Sequence, residues 1–473
     1  MPPLMNHSPH HSGLSRRRFL ATTGLAAIAI PTLVPASALG ADGKPPASER
    51  IVMGVVGWGM QGPGNTGAFL NEKDCQVVAA CDLDKRHLND AVNTVNNKYG
   101  NKDCQAYHDY RELMARKDID AVMIAIPDTW HALVAVEALK HDKDVYGEKP
   151  LARTIAEQQA IVKAVEKYNR IWQTGSWQRS VENFHYAAEI VRNGFIGKIS
   201  RVEVGLPSGH TDFAGTGGPL LKRLASIPGA PKNLAQVVPG TAAWDAAVSP
   251  PPADLDYDRW LGPSQNEPYI EARVHMNWRW NYNVGGGQLL DWIGHHCDIA
   301  HWGLGFDASG PTEIEGQGDF PPANAIWNTC TKYRIELQYP EDITMTIAGG
   351  HPDIRSGTKW IGTDGWVWVD REGFEGSNPE WKRNKNLSDR LRKVKLYESR
   401  NHQRNFLDCV KSRQPTITPV ETAHHSSIPG HLGLISMLTG RKIRWSVGDE
   451  KIIGDPEASK LLTREYRPPW VLA

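Results

Sequence analysis

The chain has 473 residues, enough for two domains with large cores, and its Lys plus Arg equals its Asp plus Glu at 53 each. That balance offers no basic field to nucleic acid or an anionic membrane, and no segment after the N-terminus has the length of a transmembrane helix. Six cysteines, with no CxxC pair among them, do not make a disulfide scaffold, and there is no internal repeat or low-complexity tract.

The N-terminus carries an address. Ser15-Arg16-Arg17-Arg18-Phe19-Leu20 is a twin-arginine export signal, followed by a weakly apolar stretch from Ala21 to Val34. Ala36-Ser37-Ala38 and Leu39-Gly40-Ala41 offer small-residue cleavage sites, and Pro31 and Pro35 argue against a buried helix. Residues 1–41 are therefore expected to be a signal peptide, and the mature protein to be periplasmic.

Ile51 to Val56 is an apolar strand that runs into Gly57-Trp58-Gly59-Met60-Gln61-Gly62, and a second strand, Gln76 to Ala80, leads to Asp82. A dinucleotide pyrophosphate needs this arrangement: one glycine for the tight turn, one for close backbone approach, one for packing of the helix on the strand. The helix N-terminus then offers free N–H groups to the anion. Asp82 stands where a carboxylate binds the ribose 2′-hydroxyl and repels a 2′-phosphate, which favours NAD; Arg86 leaves NADP open. As a plain alternative, Asp82 caps the next helix.

Strand and helix patterns then alternate, as in a doubly wound parallel sheet. Helices are expected at Lys85 to Lys98, Asp109 to Ala115, His131 to Leu139 and Ile155 to Tyr168. Strands are expected at Cys104 to Tyr107, Ile119 to Ile126, Asp144 to Tyr146 and Ile171 to Thr174. These give a Rossmann domain over 49–176. Phe184 to Asn193 reads as an amphipathic helix and Lys198 to Val204 as a strand. From Gly205 to Pro263 only Pro219 to Ser226 looks helical, and so long a loop suggests a lid, arm or interface segment. Strand patterns at Lys332 to Tyr339, Ile343 to Ala348, Lys359 to Gly362 and Gly365 to Val369 predict a mostly antiparallel open sheet. With helices at His402 to Ser412 and Gly430 to Leu438, they give an α+β domain over 177–473 for substrate binding and oligomerisation.

Three constellations carry chemistry. Glu148-Lys149-Pro150 and Pro127-Asp128-Thr129-Trp130-His131 each follow a strand on the sheet's carboxyl side, where α/β enzymes place ligands. In Gly287 to Asp298, a helix would put Asp291, His295 and Asp298 on one face. Asp291, His295, His296 and Asp298 are all metal-ligand types, but adjacent histidines diverge on a helix, and no metal is expected.

Together these motifs resemble the glucose–fructose oxidoreductase, inositol dehydrogenase and MocA (Gfo/Idh/MocA) family over nearly the whole mature chain. Gly57 to Gly62 and Asp82 match its nucleotide fingerprint, Pro127 to His131 its nicotinamide-side loop, Glu148 to Pro150 its EKP motif, and Gly287 to Asp298 its second-domain helix. The resemblance implies that Lys149, Asp291 and His295 meet at the nicotinamide, with Asp128, His131, Glu148 and Arg179 near the cofactor. His295, with an imidazole near its ordinary pKa, is the candidate base. Asp291 would orient it or bind a hydroxyl, and Lys149 would stabilise developing alkoxide charge. Trp278, Arg279, Trp280 and Asn281 are candidates for sugar contact, through ring stacking and hydroxyl binding, although tryptophans also fill cores. Family members commonly pair through the open sheet face, so a homo-oligomer is implied.

The function expected is oxidation of a CH–OH group in a sugar, polyol or derivative, with a tightly held NAD carried through export. Two alternatives stay open. One is a redox-neutral NAD-dependent glycosidase, working by oxidation, elimination, hydration and reduction. The other is an exported sugar-binding protein without turnover.

Overall fold

In the computed structural model, residues 45–383 and 392–472 are described. Residues 45–49 hold one 3-10 turn, Ala47–Glu49, and a single compact unit begins at Arg50. The signal-peptide reading of residues 1–41 falls outside the described residues.

The first sheet has six parallel strands: β1 (Ile51–Val56), β2 (Cys75–Cys81), β3 (Gln105–Tyr107), β4 (Ala121–Ile124), β5 (Asp144–Gly147) and β6 (Trp172–Thr174), in the order β3-β2-β1-β4-β5-β6. Its helices are α1 (Gly62–Leu70), α2 (Lys85–Tyr99), α3 (Tyr110–Met114), α4 (His131–Lys140) and α5 (Ile155–Tyr168). Local chemistry sets their ends. Asp84 caps α2 by accepting from the Arg86 amide, and Gly100 closes it in the left-handed conformation. Thr154 and Glu157 form a capping box on α5. Every residue of β4 is buried, because helices cover both faces of the sheet. Strand order reverses between β1 and β4, and the crevice beyond their carboxyl ends is where ligands bind in such sheets.

The second half is built on a nine-stranded sheet. Its helices are α6 (Glu182–Arg192), α7 (Gly217–Leu224), α8 (Gly287–Leu304), α9 (His402–Ser412) and α10 (Val420–Thr439). Its strands are β7 (Ile199–Leu206), β8 (Glu313–Asp319), β9 (Lys332–Gln338), β10 (Thr344–Gly349), β11 (Gly357–Gly362), β12 (Trp366–Val369), β13 (Phe374–Gly376), β14 (Ile443–Ser446) and β15 (Lys451–Ile452). The order is β13-β12-β11-β7-β10-β9-β8-β14-β15, antiparallel except for the β7–β10 pair. Helix α8 runs across one face, with Leu289, Ile293, Cys297 and Ile299 in a core shared with Val202, Ile335, Met345 and Trp360 of the strands.

Several features depart from the sequence reading: helix α10, expected from Gly430, already starts at Val420. Strand β8 escapes a hydrophobicity pattern because Ile314 is its one fully buried residue. Helix α9 does not close the second domain: Phe406 and Leu407 pack with Phe69 and Tyr146 of the Rossmann core, and Gln173 Nε2 donates to the His402 carbonyl. The long 205–286 segment is not featureless either. Leu220, Leu224, Leu234 and Val237 form a satellite core with Trp280 and Trp327.

Candidate active site

A cleft of about 520 Å³ opens at the strand-order reversal, lined by the glycine turn and Asp82 at one end and by Lys149, Asp291 and His295 at the other. Its first end is shaped for a dinucleotide. Gly57 has φ +93°, and a Cβ there would lie 2.1 Å from the Ala125 carbonyl oxygen. A Cβ on Gly62 would lie 2.2 Å from the Gly57 carbonyl oxygen, so α1 packs on β1 only without a side chain. Gly59 has no atom within 4 Å of its Cβ position, which leaves the turn open for close approach. No side chain caps α1, and its first amides stay free for an anion. Asp82 takes the Trp58 amide on Oδ2 at 2.7 Å and the Asp84 amide on Oδ1 at 2.9 Å, fixing the glycine turn to the end of β2. These residues fit a bound NAD, and Met60 and Gln61 line the same wall.

The second end is made by the strand β5 terminus meeting helix α8. Lys149 Nζ donates to Asp291 Oδ1 and to the Asp291 carbonyl, both at 3.0 Å. Gly294, one turn along α8, permits the approach: a Cβ there would stand 3.1 Å from Lys149 Cβ. Arg279 Nε donates to the same Oδ1 at 2.9 Å, its guanidinium lying over the Trp278 ring. Burial opposes the Asp291 charge, but Arg279 and Lys149 outweigh it and hold the carboxyl well below the usual range. Glu148 Oε1 accepts from Asn65 Nδ2 at 2.8 Å. Burial pushes its carboxyl up, against the pull of Lys149.

His295 shares the pocket, its ring edge-on to Trp177 and Trp292, with Nδ1 buried and unpartnered among the described residues. Burial, then the Lys149 and Arg371 cations, push its imidazole well below the ordinary histidine range. The expectation of an ordinary pKa is therefore corrected: the ring is neutral but a weaker base than a free imidazole.

Several predicted residues lie elsewhere. Arg179 is not on the cleft wall; its Nε and Nη2 bind Asp298 at 2.8 and 2.9 Å, and Nη2 reaches Asp307 at 2.7 Å. That buried pair also takes Asp298 away from the Asp291–His295 end. His131 is a brace: Nδ1 lies 2.7 Å from the Pro150 carbonyl and Nε2 2.9 Å from that of Ile126. Asp128 is buried behind the wall, and burial, with help from Asp291, pushes its carboxyl up to about 7. Trp280 fills the satellite core and donates to the Thr211 carbonyl, and Asn281 binds Glu267. Trp278 and Arg279 alone of that group line the cleft, with Arg279 committed to Asp291. His296 packs, with Nδ1 2.8 Å from the Gly205 carbonyl.

Other lining residues carried no signal. Trp177, Arg371 and His275 come from segments far apart in sequence, and Trp292 adjoins Asp291 on α8. Asp84, His87 and His275 form the one trio of metal-ligand types found within reach of a common point among the described residues. Arg86 grips both Asp84 oxygens, through Nε at 3.2 Å and Nη2 at 2.8 Å. Near the adenosine end, the Lys85 amide donates to the Asp254 carbonyl and the Asp256 amide to that of Leu83, so the long segment ties down beside Asp82.

Comparison with known proteins follows this geometry. Residues 51–176 match the model described as "Oxidoreductase family, NAD-binding Rossmann fold", and residues 240–472 match "Oxidoreductase family, C-terminal alpha/beta domain". The chain is 31% identical over 208 residues to a "Glycosyl hydrolase family 109 protein" of Shewanella pealeana, covering 39% of this chain and 44% of that protein. It is 34% identical over 147 residues to an inositol 2-dehydrogenase of Salmonella paratyphi B, covering 31% and 42%. The chain thus spans less than half the length of these curated relatives. Among solved structures, the WlbA dehydrogenase of Chromobacterium violaceum, in complex with NADH and UDP-GlcNAcA, superposes with a TM-score of 0.59 at 15% identity, over 85% of this chain and 98% of that one. The myo-inositol 2-dehydrogenase of Lactobacillus plantarum does so with a TM-score of 0.54 at 17% identity, over 84% and 99%. At that identity the likeness is one of fold. The two family models together match well over half of the chain, and the chain belongs to the Gfo/Idh/MocA oxidoreductase family.

Proposed function

We propose that the protein is an NAD-dependent oxidoreductase acting on a CH–OH group of a sugar, polyol or sugar derivative. One observation carries this reading: Lys149, Asp291 and His295, from the two halves of the chain, converge in a cleft whose other end is a dinucleotide cradle. A nicotinamide held there supplies a hydride acceptor. The chain's residues supply the rest. His295, neutral and on the cleft wall, takes the hydroxyl proton. Lys149 steadies negative charge building on that oxygen, and Asp291 fixes the lysine. Asp82 at the ribose position supports NAD over NADP. The N-terminal signal supports a periplasmic enzyme that leaves the cytoplasm with its cofactor already bound, and the family resemblance supports a homo-oligomer.

A second reading rests on the names of relatives. The match to a glycosyl hydrolase family 109 protein supports a redox-neutral glycosidase using the same groups. The test is the nicotinamide absorbance of the exported protein, with no NAD added, after mixing with sugars and glycosides. Lasting reduction of about one equivalent per site supports the dehydrogenase. Catalytic loss of a glycoside without lasting reduction favours the glycosidase, and neither result leaves a sugar-binding protein. In the Lys149→Ala variant, retained turnover would sink the catalytic assignment.

A further inference from the structure

The inner end of the cleft holds a cation that the proposed chemistry does not use. Arg371 follows β12 and lines the cleft beside His295. Its guanidinium lies between two indoles, 4.4 Å from the ring of Trp292 and 4.8 Å from that of Trp177. Both rings line the same wall. The fully buried Gln178, with its amide oxygen turned to Arg371, accepts from Nε at 3.1 Å and donates to the His295 carbonyl at 3.1 Å. The two indoles and Gln178 therefore hold the guanidinium in place, while Arg371 as a whole stays exposed. The remaining edge, with Nη1 and Nη2, has no carboxylate in ion-pairing reach among the described residues.

The carboxylates nearby are already engaged. Asp291 is shared by Lys149 and Arg279, and Glu148 is bonded to Asn65 and to the Lys149 amide. Three cations and two carboxylates meet here, so the inner end keeps an excess positive charge. A planar fork clamped between rings matches the two oxygens of a carboxylate, which it receives in its own plane. A polyol hydroxyl also accepts from a guanidinium, but it brings no negative charge to match this cation.

We infer that the substrate carries a carboxylate, as a sugar acid or its glycoside does, and that Arg371 receives it in the plane between Trp177 and Trp292. Arg371 is then a specificity-determining residue, not a catalytic one. The inference rests on the reading of this cleft as a sugar oxidoreductase site, and it narrows the substrates of that site.

The test uses the NAD-loaded full protein and matched pairs: glucuronate with glucose, galacturonate with galactose, and the methyl glycosides of each. Calorimetry measures binding, and absorbance of the bound nicotinamide measures oxidation separately. At least one acid is expected to bind about tenfold or more tighter than its neutral partner, with a preference that shrinks as salt rises. Arg371→Gln should erase the preference, while Arg371→Lys keeps part of it. Cofactor content and melting temperature show that the variants fold. Equal affinity for both members of every pair overturns the proposal. So does a preference that survives Arg371→Gln, or one for galactose 6-sulfate over galacturonate. Selective binding of an acid without any nicotinamide reduction or glycoside loss supports the role of Arg371 while refuting the oxidoreductase reading.

Discussion

Asp291→Asn is the sharpest probe of the inner site, because it keeps the shape of the side chain and removes only its charge. The carboxylate oxygen stands 3.0 Å from Lys149 Nζ and 2.9 Å from Arg279 Nε, with both side chains nearly buried. At an effective dielectric constant of about 20, each contact amounts to about 5–6 kcal/mol of attraction before desolvation. The measured cost of breaking such a buried pair is about 3–5 kcal/mol, enough to lower the melting temperature by several degrees. The catalytic consequence exceeds the thermal one. Lys149 loses the charge that holds it, and His295 faces two cations with no compensating carboxylate, so its basicity falls further. Loss of a positioned proton-transfer group costs about 10²–10⁴ in rate. Rapid-mixing measurement of nicotinamide reduction at saturating substrate should show that loss, with bound cofactor unchanged because Asp82 and the glycine turn are untouched. A rate within about threefold of the parent would refute the assignment of Lys149 and Asp291 as a working pair.

Three further expectations test other parts of the structure. Gly62→Ala places a methyl group 2.2 Å from the Gly57 carbonyl oxygen and should displace the glycine turn, so the cofactor released on denaturing the purified protein should fall well below that of the parent. Arg179→Ala leaves the carboxylate of Asp298 buried without its partner and should cost about 3–5 kcal/mol in denaturant unfolding, with bound cofactor unchanged; cofactor loss at full stability would return Arg179 to the cofactor site. Acid should unfold the protein early. Burial holds His296 and His402 at about 4 and His301 and His431 at about 3, against an ordinary value of 6.5. The unfolded chain therefore binds more protons than the folded one below pH 6.5, and stability falls from there towards pH 4. Each of the four contributes about 2 kcal/mol of that loss at pH 5, and Asp128, pushed up to about 7, takes up a proton on the way down and offsets about one of them. A denaturation midpoint that is unchanged between pH 7.5 and 5 would refute this.

What was legible in the sequence is what the backbone settles locally. The glycine turn and the apolar run through β4 are each fixed within a few residues, and the strands and helices of the first sheet stand close to where the pattern put them. The failures have a common physical origin. Strand β8 gains its place from hydrogen bonding to β9 and β14, not from buried side chains, so its composition is mute. Helix α9 is amphipathic whichever domain it covers, and only the packing of Phe406 against Phe69 and Tyr146 decides. Trp278 and Trp280 are two residues apart on a 3-10 turn, about two thirds of a turn, which sends one to the cleft and the other into a core.

The substrate end shows why the site divides this way. Lys149 and Asp291 sit at the end of a strand and on a helix, where neighbouring residues mark them. Trp177, Trp292 and Arg371 are brought together across nearly the whole second half of the chain, and nothing beside Arg371 in Asp370-Arg371-Glu372-Gly373 distinguishes it from a surface turn. Yet its charge bears on the chemistry as well as on recognition. Besides burial, the groups acting on His295 are Lys149, Arg371 and His296, which lower its basicity, and Asp291, which raises it. A carboxylate bound to Arg371 cancels one of the two cations depressing the imidazole. Binding of the acid thus strengthens the base that must accept its hydroxyl proton, and a neutral sugar in the same cleft leaves that base weak. Selectivity and proton transfer are then coupled through one guanidinium, so discrimination should show in the rate of the bound complex as well as in its affinity.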